Sequence, residues 1–301
     1  MNVSGGVQST TMFHLSVNGD LPIPDMCIFA DTGWERKSSY QTVQGLISIA
    51  NDKGIPFFIV RDGNIREQAI ESSNPDSTYP DYRDKDGFGF IKMPVFSRGG
   101  NNLSKVRMSK KQCTTDFKIR PMRRFLLEKY GKKEHFNQWI GISLDEVTRM
   151  KKSNLKSVSF YYPLVEKRWT RNSCVLYLHK HGIPIPDKSA CIGCPLHSDA
   201  MWLSLTDEEK QDAIDFDETI RDIESHKDNT PKSKKVIKEQ LDLLDMEKVD
   251  TIADQRTSTH STQLFIHHSG RPLRDVLSEE TNQQPELFNI EDEECAGMCF
   301  I

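Results

Sequence analysis

Asn2-Val3-Ser4-Gly5-Gly6-Val7-Gln8-Ser9-Thr10 decides how this sequence is read. It has the form of a strand end, a glycine turn and the first turn of a helix. Two adjacent glycines let the backbone take positive φ and come close to a ligand. The amides of Gly6, Val7 and Gln8 then point outward at a helix N-terminus, where unpaired N–H groups and the helix dipole bind phosphate or pyrophosphate. Ser4, Ser9 and Thr10 add hydroxyl donors. Taken alone, the stretch fits an ordinary strand–turn–helix corner capped by Ser4 equally well. It has neither the Gly-Lys-Ser/Thr ending of a Walker A loop nor the G-x-G-x-x-G of a dinucleotide fingerprint, which disfavours both of those folds.

The neighbouring segments give the loop its setting. Residues 8–18 place Met12, Leu15 and Ser16 at helical spacing, and Gly19 stops the helix. Met26-Cys27-Ile28-Phe29-Ala30 is a continuous apolar run, as expected of a buried parallel strand, and ends in the polar turn Asp31-Thr32-Gly33-Trp34-Glu35. A helix is expected from about Ser38 to Lys53, with Val43, Leu46, Ile47 and Ala50 on one face, followed by a strand at Pro56-Phe57-Phe58-Ile59-Val60. This alternation is the βαβ pattern of a parallel sheet. Ligands of open parallel sheets bind beyond the carboxyl ends of the strands. Ser4-Gly5-Gly6 and Asp31-Thr32-Gly33 both lie at such ends, so they are expected to be neighbours. Gln138 to Ser143 predicts another buried strand, again followed by polar residues, Leu144-Asp145-Glu146-Val147-Thr148-Arg149.

The remaining stretches are less regular. Residues 71–112 are rich in Ser, Asn, Asp, Gly and Pro, the composition of a lid, a substrate loop or a partly disordered segment. The stretch ends in Lys105, Arg107, Lys110 and Lys111, and the next helix adds Lys118, Arg120, Arg123 and Arg124. Singly these read as a solvated helix face. Together, beside a phosphate loop, they suit an anionic substrate or a nucleic acid strand. Short or charged helices are expected over 172–181, 206–226 and 231–247, and an acidic tail over 280–301.

At 301 residues the chain holds one large domain or two. The expected division is an α/β nucleotide-binding domain with the cysteine site over 1–200, a helical extension over 201–279 and a cysteine-bearing tail over 280–301. The net charge of −4 gives no global footprint for nucleic acid. No apolar run approaches the roughly 18 residues of a membrane span, and no secretory signal precedes the first strand, so a cytoplasmic location is expected. Seven cysteines in that setting point to metal or redox chemistry rather than disulfides.

Cys191-Ile192-Gly193-Cys194-Pro195 is a tight C-x-x-C whose spacing lets two thiolates reach one metal or cluster. Cys113 opens the basic helix, where the dipole and Lys110 and Lys111 favour a thiolate. Cys295 and Cys299 lie in the tail; Cys27 and Cys174 sit in apolar patterns and read as core thiols. For Cys113, Cys191 and Cys194 three readings stand: a [4Fe–4S] cluster with a fourth ligand from the tail or an open iron, structural zinc, or a redox dithiol at Cys191 and Cys194.

Taken together these segments resemble the phosphoadenosine phosphosulfate (PAPS) reductase-like branch of the PP-loop ATP pyrophosphatases. Ser4-Gly5-Gly6-Val7-Gln8-Ser9 is similar to the PP-loop, and Asp31-Thr32-Gly33 to the second nucleotide loop. Gly141 through Glu146 with Arg149 is similar to the glycine–basic–acidic motif at a strand end. Tyr162-Pro163-Leu164, Trp169-Thr170, Tyr177-Leu178, Ile183-Pro184 and Ser189-Ala190-Cys191-Ile192-Gly193-Cys194 follow the pattern of the carboxyl half. The tail Glu294-Cys295-Ala296-Gly297-Met298-Cys299 is similar to the segment that carries the nucleophilic cysteine of the reductases. Two departures stand out: Gln8 replaces the usual acidic residue of the PP-loop, and Cys113-Thr114 stands where iron–sulfur reductases carry adjacent cysteines. In these respects the chain looks closer to phage and bacterial PAPS reductase-like proteins and DNA phosphorothioation enzymes than to assimilatory reductases.

The resemblance implies a Rossmann-like parallel α/β sheet with helices on both faces, a helical carboxyl-terminal region and a flexible tail. It implies an adenine nucleotide, ATP or PAPS, with Mg2+, held by Ser4, Gly5, Gly6, Gln8, Ser9, Thr10, Asp31, Thr32, Gly33 and Gly141. It implies conversion of ATP to AMP and pyrophosphate coupled to sulfur transfer, with a nucleic acid among the acceptors and a sulfur donor as partner. Arg149, Cys295 and Cys299 are the expected catalytic residues; Cys113, Cys191, Cys194 and Cys299 are the expected ligands of a [4Fe–4S] cluster, with zinc as the alternative. Two other readings stay open: a PAPS or adenylylsulfate reductase using Cys295 and reset by a thioredoxin-like partner, and a non-catalytic nucleotide- or DNA-binding subunit. Nothing in the sequence demands an oligomer or forbids one.

Overall fold

The computed structural model describes residues 1–73, 93–98, 106–109, 111–153, 155–221 and 263–280. In chain order the elements are β1 (Asn2–Val3), α1 (Val7–Val17), β2 (Cys27–Asp31), α2 (Lys37–Asp52), β3 (Phe57–Arg61), α3 (Ile65–Ser73), β4 (Phe96–Arg98) and β5 (Arg107–Met108). A π-helical turn, Thr114–Ile119, leads into α4 (Arg120–Tyr130), then β6 (Phe136–Trp139), a 3₁₀ turn Leu144–Arg149, β7 (Val158–Tyr161), α5 (Pro163–Glu166) and α6 (Arg171–Lys180). The described chain ends with α7 (Asp199–Leu203), α8 (Asp207–Thr219), β8 (Gln263–Phe265) and α9 (Leu273–Glu280). Two compact units result. One holds the described residues of 1–65 and 113–192, the other those of 66–112 and 193–280.

The first unit is the expected parallel α/β fold. β1, β2 and β3 form a parallel sheet in that order, with Val3 opposite Phe29 and Phe29 opposite Ile59. Alternation along β2 sorts its side chains to two faces. Cys27 joins Val3, the α1 residues Met12, Phe13 and Leu15, the α2 residues Leu46 and Ala50, and Cys174 and Leu178 of α6. Ile28 and Ala30 instead join Val60 and Met122, with Phe125 and Leu126 of α4 packed against them. Helices therefore cover both faces of a sheet buried on both sides, which is why Met26 to Ala30 reads as an unbroken apolar run.

α1 is buried around most of its surface, including Ser9, Thr10, Thr11 and Ser16. Thr11 and Ser16 satisfy their hydroxyls by donating to the carbonyls of Val7 (2.8 Å) and Met12 (3.1 Å) one turn back. This lets polar residues sit inside the core and explains the weak helical periodicity of 8–18.

β6 and β7 form a parallel pair, Phe136 opposite Val158 and Trp139 opposite Tyr161. Gln138 Nε2 donates to Asn2 Oδ1 at 3.0 Å and brings β6 alongside β1. β6 and β7 pair apart from the β1–β3 sheet, so the crevice beyond the ends of β1 and β6 is a switch point between the two sheets, where the chain's winding passes from one to the other. The expected strand from Gln138 to Ser143 is shorter and earlier. It ends at Trp139; the Ile140 amide still donates to Tyr161 O of β7 at 2.9 Å, and from Gly141 the chain passes against the first turn of α1.

In the second unit β5, β4 and β8 form a small antiparallel sheet in that order, and α8 packs on α9. Part of the polar stretch 71–112 is thus strand. Elements of two and three residues carry no periodicity from which to read them. α8 opens with a capping box between Thr206 and Glu209 and ends at Thr219, short of the expected 226. The helix expected over 231–247 and the tail 280–301 fall outside the described residues, apart from the end of α9. Among the described residues no helix is long and apolar enough to cross a membrane.

Candidate functional site

Gly5 turns the chain from β1 into α1 with φ of +76°. A Cβ there would stand 3.0 Å from the backbone oxygen of Ser39 and 3.2 Å from Val43, so both its conformation and its surroundings require glycine. Gly6 is the N-cap and has no side chain with which to cap α1. The hydroxyls of Ser4 and Ser9 lie 3.1 Å apart; Ser9 Oγ also donates to the Gly6 carbonyl and accepts from the Ser4 amide at 3.2 Å. Ser189 Oγ donates to the Ser4 carbonyl at 2.6 Å and ties the loop to the segment before Cys191. Buried around this loop are the hydroxyl oxygens of Thr10 and Ser39, which have no hydrogen-bond partner among the described residues.

Gly141 is the point of closest approach from β6. A Cβ on it would sit 3.2 Å from the Ser9 nitrogen and 3.4 Å from the Gln8 side chain. Next to it Gln8 Nε2 donates to Ser143 Oγ (3.5 Å) and Glu146 Oε2 (3.3 Å), while Arg149 forms an ion pair with Glu146. The strand-end motif therefore meets the phosphate loop through an amide. An acidic residue at position 8 would instead face the Glu146 carboxylate.

The second loop is held from within. Asp31 Oδ1 accepts from the Gly33 amide and the Tyr40 hydroxyl, each at 2.8 Å, and Oδ2 from Arg61 Nε at 2.9 Å. Burial and the Asp31 carboxylate push the Tyr40 phenol up. Gly33 has φ of +79°, and a Cβ on it would lie 2.9 Å from Asn64 Cα. Asp31 thus shapes the loop and has its carboxylate engaged by protein donors.

Thr32 points the other way, to the cysteines. Its Oγ1 donates to Glu35 Oε1 at 3.0 Å and lies 3.2 Å from Cys191 Sγ. Glu35 is buried, receives Lys118 Nζ at 3.4 Å on the same oxygen, and keeps Oε2 buried without a partner among the described residues. Glu35 and Cys191 form an antiparallel bridge, and the Ile192 amide donates to Trp34 O at 2.9 Å. Burial, followed by the Glu35 carboxylate, pushes the Cys191 thiol up, against the opposing effects of Lys118 and the Thr32 hydrogen bond. Cys113 is close enough to act on Cys191 electrostatically and opens the π-helical turn that carries Lys118. Cys194 belongs to the second unit, and Cys295 and Cys299 lie outside the described residues.

No protein-family model and no curated protein matches this chain. Among solved structures it is similar to a phosphoadenylyl-sulfate (PAPS) reductase from Candida auris in a phosphate complex. That likeness has 13% identity, covers 62% of this chain and 73% of that one, and has a TM-score of 0.38. The reading of the site rests on its own residues.

Three residues at this site escape a sequence reading. Glu35 appears there only as the end of a polar turn, Lys118 as one member of a basic cluster, and Ser189 as a flanking residue. The isolated acid after an apolar strand and the cation five residues past Cys113 were the available signals. The basic cluster also divides. Lys118 turns to Glu35, Arg120 pairs with Asp116 (2.7 Å) and Arg124 with Asp62 (3.1 Å). Arg120, Arg123, Arg124, Leu127, Glu128 and Lys132 line a groove of about 380 Å³ on α4. Lys105 and Lys110 lie outside the described residues.

Proposed function

We propose that the first unit binds an adenine nucleotide through its phosphates and activates an acceptor for sulfur transfer. The observation that carries this reading is the glycine loop at the switch point. Gly5 takes positive φ, the N-terminus of α1 lacks a side-chain cap, and the Ser4 and Ser9 hydroxyls converge there. Buried polar hydroxyls without partners cost about 1–3 kcal/mol each, so Thr10 and Ser39 suit a polar ligand on this loop.

In this reading the pyrophosphate of ATP lies on the Gly5–Gly6 turn and the start of α1. An acceptor oxygen attacks the α-phosphorus, the bond to the bridging oxygen breaks, and pyrophosphate leaves onto those amides and hydroxyls, whose dipoles stabilise its charge. A sulfur nucleophile then displaces AMP from the acceptor. In this reading Arg149, which pairs with Glu146 beside Gln8, supports the phosphates. A phosphate-bearing acceptor such as a nucleic acid strand fits the basic groove of α4. Mg2+ does not find a carboxylate to itself at Gln8: Glu146 accepts from Gln8 on one oxygen and from Arg149 on the other.

The donor set at Cys191 fits a metal ion or an iron–sulfur cluster. Cys113 and Cys191 would hold it, with Cys194 added by the C-x-x-C spacing, and the orphaned Glu35 Oε2 is a further anionic donor beside Cys191. Such a group would keep the thiols deprotonated and supply a site for sulfide.

The test uses full-length protein purified without oxygen and supplied with sulfide and a nucleic acid strand as acceptor, with ATP labelled at the α-phosphate in one arm and PAPS with a thioredoxin-like reductant in the other. AMP formation that is lost in Cys295→Ser and Cys299→Ser, with ATP binding retained, is the expected result. Sulfite from PAPS without AMP from ATP would replace this reading with a reductase. Binding without product in either arm would replace it with a silent nucleotide-binding subunit.

A further inference from the structure

A second group of metal-ligating side chains lies in the second unit, apart from the cysteines. Asp199, His267 and His268 bring one donor atom each to within 4.8 Å of one another. His267 Nε2 lies 3.0 Å from Asp199 Oδ1, and His268 Nδ1 lies 3.7 Å from the same oxygen. The two rings stand 4.2 Å apart between centroids. A structural Asp–His pair accounts for His267, which is buried. It does not account for His268, which is 54% exposed yet directs a nitrogen at the same carboxylate oxygen.

The backbone that carries these ligands is fixed independently of them. Buried Asp217 accepts from the Ile266 amide at 2.8 Å and the Leu273 amide at 3.0 Å, and pairs with Arg221, so it clamps both ends of the turn that bears the two histidines. Gly270, with φ of +63°, closes the turn on the His267 carbonyl at 3.0 Å. Ser198 caps α7 and sets the position of Asp199. Behind His267, Ser269 Oγ lies 2.7 Å from Nδ1. The Ser269 amide also donates to Nδ1, at 3.2 Å, so without metal Nδ1 is an acceptor and the proton sits on Nε2, which donates to Asp199 Oδ1. An orienting partner on the far nitrogen is the usual arrangement behind a ligating histidine.

We propose that Asp199, His267 and His268 form a site for a divalent first-row transition-metal ion of the zinc, cobalt or nickel kind. Two imidazoles and one carboxylate are the donor set such ions take, whereas magnesium and calcium call for oxygen alone. When the ion binds Nε2, the proton on that nitrogen moves to Nδ1, which then donates a hydrogen bond to Ser269 Oγ while the Ser269 amide gives up its bond to Nδ1, so the imidazole stays neutral. The exposure of Asp199 and His268 leaves the remaining coordination positions to water. The site does not depend on the nucleotide reading of the first unit.

The test strips the full-length chain with a chelator and titrates it with Co2+ while recording visible absorption. The expected result is one Co2+ per chain with nitrogen and oxygen ligands, in addition to any Co2+ that the cysteines take up with a thiolate charge-transfer band. Affinity should fall tenfold or more in His268→Ala and in Asp199→Asn, and by about 10–100-fold in Ser269→Ala. His268 is exposed, so His268→Ala should melt like the parent without metal, while Co2+ should raise the melting temperature of the parent further than that of the variant. Absence of Co2+ binding would overturn the site. So would binding through thiolates only, or binding that is equal in His268→Ala and the parent.

Discussion

Glu35 and Cys191 set each other's chemistry. Burial, followed by a buried carboxylate that shares one oxygen among Thr32, Lys118 and the thiol, makes thiolate formation unfavourable in the metal-free protein. Removing that charge while leaving Lys118 in place lessens the penalty on the thiolate, although burial still opposes it. Glu35→Gln is therefore expected to speed alkylation of Cys191 by iodoacetamide at about pH 8, read by mass spectrometry of the peptide that carries it. An unchanged or slower rate would remove Glu35 from control of the thiol. At this scale the sequence was legible where geometry forces identity. Gly5 and Gly33 announce positive φ, and Ser4 and Ser9 announce a polar turn. It was not legible where a side chain's partner comes from elsewhere in the chain. Asp31 reads as a ligand contact, yet Tyr40 and Arg61 engage it; Lys118 reads as part of an anion patch, yet it meets Glu35.

Among the elements, α1 does most to join sequence to site, because it packs on α6 while its first turn forms the loop. His14 sits at that packing face, edge-on to Phe13, and burial followed by the charge of His181 lowers its pKa. Its folded pKa therefore lies below the ordinary value of about 6.5. The unfolded chain takes up the proton first as pH falls, so the stability associated with neutral His14 is present above that value and lost below it. Melting temperature is expected to fall from about pH 7 to about pH 5.5, and to fall less in His14→Gln. Equal slopes would assign the pH dependence to other groups. Long elements with a buried face, such as α2 with Val43, Leu46 and Ala50, were plain in the sequence. β4, β5 and β8 were not, since two or three residues paired across a distant part of the chain leave no local pattern. The displaced end of β6 has a specific cause: Gly141 belongs to the contact with α1, and the ladder stops before it.

On the scale of the whole molecule, the chain pairs a parallel α/β unit carrying a phosphate loop with a second unit of helices and a small antiparallel sheet. The order of strands and helices foretold the first unit because each βαβ step is local in sequence. The second escaped because its sheet joins segments that are more than 150 residues apart, β4 with β8. The central claim concerns the first unit: the glycine loop at the switch between β1 and β6 binds a nucleotide's phosphates. Gly141→Ala tests it from a position outside the loop, since the added Cβ, 3.2 Å from the Ser9 nitrogen, presses on the start of α1. The measurement is calorimetric titration of ATP into the full-length parent and into Gly141→Ala, with melting curves for both. The account predicts saturable one-to-one binding to the parent and at least about tenfold weaker binding to a variant that still melts cooperatively, a loss of about 1.4 kcal/mol or more. Failure of the folded parent to bind ATP, or equal affinity in the two proteins, would contradict it.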